Sequence, residues 1–421
     1  MLGDFIFLKS QAQELTLQNY YEAVDYLLKN GDDKQAVKFF LALNSFGMSK
    51  KEVLYLALAL RDSGRILKYN QDIFEKHSTG GIGDSTSIVL IPLLASLGYK
   101  VIKTTGKSMV YTNGSADRFG SIPNFNVKLS EDEIENVLTN TNACVLSHNG
   151  DICPADKILF KIIEGCGLEQ DINLLAASIA CKKLACGAKV VLVDVKYGEA
   201  SVVKTYKEAL KLANILRFIF KECGVKSVVV ITNTLQTIGE GIGNAIEVED
   251  ALKVLQGKKN TLRSVVSTFA CEMIAKIKPQ LSRADIFDMI NSSLDNGGAY
   301  NSFLDIVRYQ GGDYKVVEQG KLFIPYKSIN FLSEKSGYVG YINSLILGEL
   351  TRRLCASSHD SNIGVAMRVK IGDYVKAGDV VVTFYYKNDE DLELYKNAIM
   401  GCVRLTDQKV DKIKVIKKVL R

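Results

Sequence analysis

The residues best suited to chemistry lie in one run, Lys76-His77-Ser78-Thr79-Gly80-Gly81-Ile82-Gly83-Asp84-Ser85-Thr86-Ser87, directly ahead of the apolar stretch Ile88 to Leu97. Glycines at 80, 81 and 83 let the backbone come close to an anion, and a helix beginning here would aim free N–H groups and its positive end at that anion. The lysine and hydroxyls complete a phosphate cradle. The spacing is neither Walker A nor GxGxxG, so generic nucleotide motifs do not account for it. A well-capped turn is the plain alternative, and the added Lys-His-Ser favours the anion site. A second polar run, from Lys103-Thr104-Thr105-Gly106 to Thr112-Asn113-Gly114-Ser115-Ala116-Asp117, leaves a β-rich segment at its carboxyl end. Ligands of open α/β sheets bind at that edge.

The elements that must position these residues follow from periodicity. Residues 1–65 read as helices, with Tyr20, Val24, Leu27 and Leu28, then Ala36, Val37, Phe39, Phe40 and Leu43, at helical spacing. Ser49 and Glu52 form a capping box for a further helix, and Gly64 stands where a C-terminal cap belongs. From Lys76 onward short β-rich runs (Val101 to Thr104, Lys189 to Val195, Ser227 to Thr232) alternate with helical stretches, which predicts an α/β sheet. Ala155 to Leu184 is again helical and predicts an insertion folding back onto the first domain. The expected architecture is α/β: a small all-helical domain (1–65 with 155–185), a large α/β domain with a central mixed sheet (70–150 and 186–330), and a hairpin-rich C-terminal α+β subdomain (335–421). Lys370 to Asp379 has the look of a carrier-module hairpin, but the lysine setting a carrier needs is missing, so it reads as structural.

KHSTGGIGDSTS, TNGSAD, SIPNF at 121–125, PADK at 154–157, SIACKK at 178–183, VDVKYG at 193–198, GNAIEV at 243–248 and VRYQGGD at 307–313 resemble, in order and spacing, the successive blocks of the pyrimidine-nucleoside and thymidine phosphorylase family. The likeness runs from about residue 10 to 410. It implies a cytoplasmic enzyme that uses inorganic phosphate to cleave an N-glycosidic bond, giving free base and pentose 1-phosphate, and a homodimer formed through the helical parts. It assigns phosphate to Lys76, Ser78, Ser87, Thr105 and Ser115 with Lys103 nearby. His77 takes the place of the histidine that approaches the pyrimidine O2, and Ser178 and Lys182 that of the groups reading the pyrimidine edge. No organic cofactor is implied. A monovalent cation, potassium, would sit at Gly83, Ser85, Ile238, Gly241 and Asp250.

The departures from the family pattern fall mainly on the base side. Its base-binding arginine falls on Ile163, and an alkyl group cannot supply a guanidinium fork. Its loop histidine is Tyr111, an arginine is Lys107, a glycine is Asn113, a glutamate is Gly120 and a glutamine is His148. His148 either takes over part of the lost recognition or is a loop histidine with no role. Losing a hydrogen-bonding fork costs on the order of 1.5–3 kcal/mol, so thymidine or uridine should be poor substrates unless another donor substitutes. Three readings stay open: a phosphorylase with shifted preference, a related transferase acting on a phosphorylated ribose, and a noncatalytic nucleoside- or phosphate-binding paralogue. The second is not expected to keep KHSTGG, and the third has no reason to keep Lys76, His77 and Ser78.

Bulk composition bounds the rest. Over 421 residues, 47% hydrophobic and 24% charged residues with 5 prolines describe a globular chain of two or three units. A net charge of +6 fits an anionic small substrate and does not imply nucleic acid. The basic tail from Lys409 alternates with Val and Ile, as a half-buried edge strand does. The nine cysteines form no CxxC pair and read as reduced core thiols. No signal-like start or membrane-length apolar run is found, so no membrane association is expected and cytoplasm is the default.

Overall fold

A computed structural model describes residues 1–106, 113–147, 150–358 and 361–421. Four helices open the chain: α1 (Leu2–Ser10), α2 (Leu17–Asn30), α3 (Lys34–Phe46) and α4 (Lys50–Asp62). Their periodic apolar residues pack together, with Tyr20, Leu27, Phe39, Phe40, Leu43, Leu56 and Leu60 all fully or almost fully buried. The capping box at α4 forms as the sequence predicts, Ser49 accepting from Glu52 N–H and Glu52 accepting from Ser49 N–H. Glu52 has a second role, because its carboxylate also pairs with buried Lys9 at 2.9 Å and accepts from Leu15 N–H at 3.0 Å.

The chain then enters the sheet as β1 (Ile73–Ser78), followed by α5 (Thr86–Ser96), β2 (Lys100–Thr105), α6 (Ser115–Phe119), α7 (Glu131–Thr141) and β3 (Ala143–Ser147). It returns to the helical layer as α8 (Pro154–Cys166) and α9 (Ile172–Ala185), which share the core of α2 and α4. It comes back as β4 (Val190–Tyr197), α10 (Tyr206–Glu222) and β5 (Lys226–Asn233). The three passages between layers lie side by side. Arg65 N–H donates to Asp151 O at 2.7 Å, Leu67 N–H to Ala185 O at 2.8 Å, and Lys189 N–H to Ile73 O at 3.0 Å.

The main sheet has the order C-terminal strand (Ile416–Leu420), β5, β4, β1, β2, β3. β1 to β5 are parallel and the last strand runs antiparallel to β5, so the sheet is mixed, as expected. β4 is buried on both faces: Val191, Val193 and Val195 join the helical core, whereas Val190 and Leu192 face the α5 side. The strand order reverses between β1 and β4, and ligands of such sheets bind beyond the carboxyl ends of the strands. Gln310, in the VRYQGGD block, clips the edge strand by exchanging hydrogen bonds with Val145 N–H (2.8 Å) and Val145 O (2.9 Å), so this motif has a structural reading.

Two local expectations are corrected. Gly64 is not the αL cap of α4, whose last turn closes on Ser63 in an ordinary helical conformation; it is small because Asp151 O and Pro154 would lie 2.2 and 2.5 Å from any Cβ there. The segment 370–379 is not a self-paired hairpin. Gly372 and Gly378 make two turns at positive φ, while Tyr374–Val375 pairs with Gly337–Ile342 and Val380–Tyr386 joins Lys327–Leu332 and Gly364–Met367. All nine cysteines are free, and no helix among the described residues is long and apolar enough to cross a membrane.

Candidate active site

Beneath the glycine-rich loop lies a buried layer of charge. Lys196 pairs with Asp194 at 2.6 Å and with Asp84 at 3.6 Å, and Lys76 stands 3.7 Å from Asp84, 3.8 Å from Asp194 and 2.8 Å from the Thr86 hydroxyl. Burial alone would raise the Asp84 carboxyl, but Lys196, Lys76, Arg118 and the Thr86 hydroxyl hold it far below the usual carboxylate range. Lys76 is only 2% exposed, and desolvation lowers its ammonium pKa against the pull of Asp84 and Asp194. The layer fixes the loop from below, since Asp84 Oδ2 accepts from the Ser78 hydroxyl at 2.8 Å. For Ser78 to donate to an anion, that hydroxyl has to turn away from Asp84.

Above the layer a cleft of about 550 Å³ opens between the carboxyl ends of β1 and β2 and the helices α8 and α9. On the sheet side its lining brings together Ser78, Gly80, Gly81, Lys103, Thr105 and Ser115. Lys76 and Ser87 are not on this surface: the first lies one layer down, and the second is 3% exposed on α5. Lys103 donates to Lys76 O at 2.9 Å and Thr104 O at 2.8 Å, and burial with nearby Lys183 lowers its ammonium to about 7. Sequence reading missed Arg118, which lines the same wall and pairs with buried Glu247 at 2.5 Å. Burial raises Glu247 to about 7 in spite of that partner. Arg118 follows the TNGSAD block by one residue, so an extended motif would have included it.

The helical wall carries the other half. Ser178 and Lys182 share one face of α9, with Lys182 Nζ 2.7 Å from Ser178 Oγ and 2.6 Å from Asp156 of α8. Burial opposes the Lys182 charge, but Asp156 outweighs it and the ammonium lies above its ordinary range. His77 stands between the two sides, and burial, then Lys183, Lys103, Lys182 and Lys76, hold its imidazole pKa well below the usual value. It is therefore a neutral hydrogen-bonding group at physiological pH. Lys183, the second lysine of SIACKK, has a structural place, bonded to Glu75 at 2.8 Å and to the Thr104 hydroxyl at 2.7 Å.

Ile163 does not line the cleft itself: it is 5% exposed and lines a small hollow with Leu168 and Val202 that adjoins the cleft, the two sharing Phe160, Leu175 and Ser178. Lys157, Phe160 and Lys161 of α8 line the cleft instead, and sequence reading missed all three. Asn113 donates to Asn244 Oδ1 at 2.7 Å, and Gly120 ends α6, where a Cβ would lie 3.0 Å from Ala116 O. Tyr111, Lys107 and His148 lie outside the described residues.

The positions assigned to a monovalent cation converge only in part. Gly83, Gly239, Gly241 and Asp250 are neighbours, but Gly83 O accepts Gly239 N–H at 3.1 Å and Asp250 Oδ2 accepts Glu240 N–H at 2.5 Å. Ser85 O accepts Ile88 N–H at 3.0 Å and Val89 N–H at 3.3 Å. Lys370 already places its ammonium on Thr237 O at 2.8 Å and Gly239 O at 2.5 Å in the same loop. Gly83 O, Ser85 O and Asp250 Oδ2 thus each hold a backbone donor, and Lys370 brings a positive charge into the same loop.

Comparison with known proteins sets this geometry in context. The family model described as "Glycosyl transferase family, a/b domain" matches residues 70–300. The pyrimidine-nucleoside phosphorylase of Bacillus subtilis is 32% identical over 399 residues, 91% of this chain and 91% of that protein. That of Geobacillus stearothermophilus is 30% identical over 416 residues, 96% of each. Among solved structures, anthranilate phosphoribosyltransferase from Thermus thermophilus aligns with a TM-score of 0.59 at 16% identity, covering 72% of this chain and 98% of that one. That last likeness concerns the fold alone.

Proposed function

The chain belongs to this glycosyl transferase family as a pentosyltransferase related to the pyrimidine-nucleoside phosphorylases, and from that premise we propose that it cleaves the N-glycosidic bond of a pyrimidine nucleoside with inorganic phosphate. The products are free base and pentose 1-phosphate. One observation carries the reading: Ser78, Lys103, Thr105 and Ser115 on the sheet side and the Ser178–Lys182 pair on the helical side line a single cleft, with His77 in the same lining.

Phosphate lies against the glycine-rich loop, held by Lys103, Thr105, Ser115 and Ser78 with Arg118 beside them. As the glycosidic bond stretches, the sugar gains oxocarbenium character and the base becomes an anion. The phosphate below C1′ stabilises the first charge, and the neutral His77 N–H with Lys182 stabilises the second, both more strongly in the transition state than in the ground state. Lys76 acts from behind, through the Asp84 layer that sets the loop. The helical wall closes on the sheet and excludes water from the sugar.

The test is base release from a panel of pyrimidine nucleosides with and without phosphate. Phosphate-dependent release supports the proposal. Activity only with pyrophosphorylated ribose selects the transferase reading, and binding without turnover selects a noncatalytic paralogue.

A further inference from the structure

Within that reading of the cleft, α8 presents an uncompensated charge. Lys157 and Lys161 are one helical turn apart, both exposed, and both line the cleft on the wall that carries Asp156. The carboxylates lining the cleft among the described residues are Asp84 and Asp156, and each is bonded to another cation: Asp84 to Lys196 and Lys76, Asp156 to Lys182. Lys183 is neutralised by Glu75. Lys157 and Lys161 have no such partner among the described residues. Solvated lysines on a convex surface are ordinary. Two on the concave wall of a substrate cleft, with a half-buried Phe160 between them, raise the local positive potential where the base must lie.

The charge that develops on a departing neutral base already has Lys182 and His77, and in the ground state such a base edge needs donors and acceptors and gains little from further net charge. We propose that the pocket selects a pyrimidine whose outer edge carries an anionic group such as a carboxylate, and that Lys161, supported by Lys157, is the residue that reads it. The lost arginine is then replaced by a change of ligand as well as of residue: the positive group moves from position 163, in the hollow beside the cleft, to position 161 on the cleft itself. Phe160 offers its ring to the base face.

The experiment compares kcat/KM for uridine, for uridine bearing a carboxylate at C5, and for uridine 5′-monophosphate, in wild type, Lys161→Ala and Lys161→Glu. Both lysines are exposed, so folding is not at stake. The wild type is expected to prefer the C5 carboxylate over uridine by about tenfold or more, Lys161→Ala to bring the ratio near one, and Lys161→Glu to invert it. Calorimetric binding of uracil and 5-carboxyuracil to the same proteins gives the same ratios without turnover. If no nucleoside is cleaved yet the binding ratios follow the variants, the phosphorylase reading falls and this proposal stands. An unchanged ratio in both variants overturns it. So does a Lys161-dependent preference for the 5′-monophosphate, which would put the anion on the sugar.

Discussion

At the scale of single residues, the site divides into groups that meet the cleft and groups that hold them. His77 belongs to the first set, and its neutral imidazole has two measurable consequences. His77→Ala should lower kcat by about 10²–10³-fold with little effect on the KM for phosphate, as expected for a donor aimed at charge that develops in the transition state. Its depressed pKa also means that the unfolded chain takes up a proton near pH 6.5 that the folded protein refuses, so this part of the stability is present above that pH and is lost on acidification. Thermal unfolding followed from pH 7 to 5 should fall less steeply in His77→Gln than in wild type. Lys103, near 7, is partly discharged at neutral pH, and an anion bound beside it should draw the proton back. Phosphate titrated calorimetrically at pH 8, in buffers of different protonation enthalpy, should show proton uptake in wild type that is lost in Lys103→Met. The motif was legible in sequence because glycine, hydroxyl and lysine side by side have few other uses. Depth was not: nothing in the string tells that Lys76 lies one layer below Ser78, or that the exposed stripe of α8 runs through 157 and 161 and passes 163 by. That stripe is fixed by how α8 rolls against α2 and α9, which is a matter of packing.

At the scale of elements, periodicity and end signals placed the helices of the first layer and the Ser49–Glu52 cap. What they did not reveal was that Glu52 also neutralises Lys9 from a distant helix. Glu52→Ala should therefore cost more than a cap, about 3–5 kcal/mol by urea unfolding, because it strands a buried ammonium. Ser49→Ala should cost about 1 kcal/mol. Gly64 was misread for a related reason. Its small size answers to Asp151 and Pro154 in the chain's next passage, a contact between segments far apart in sequence. The turn glycines at 372 and 378 were legible, but the partners of the strands between them were not, since strand pairing is decided by the sheets already present.

At the scale of the whole molecule, the alternation of strands and helices foretold a sheet with a ligand edge, and the basic, Val- and Ile-rich tail foretold an edge strand. The order of the strands was not readable, and it is the pairing of β1 with β2 that brings the two polar loops to one cleft. The tail has a larger part than its composition suggests. Ile416–Leu420 covers the open edge of β5, and Arg421 is held by Glu272 at 2.7 Å. Removing residues 416–421 should bare that edge and lower the unfolding midpoint, with light scattering reporting association through the freed strand.

The three passages that run side by side between the layers, hydrogen-bonded at Arg65, Leu67 and Lys189, act as the spine of a book. A single connector would let the two covers twist and slide. In the closure proposed above, three bound together would leave chiefly one freedom, folding about the spine, and would carry α8 and α9 along one arc onto one spot. Alignment of the two reacting partners would then be a property of the binding rather than of the pages.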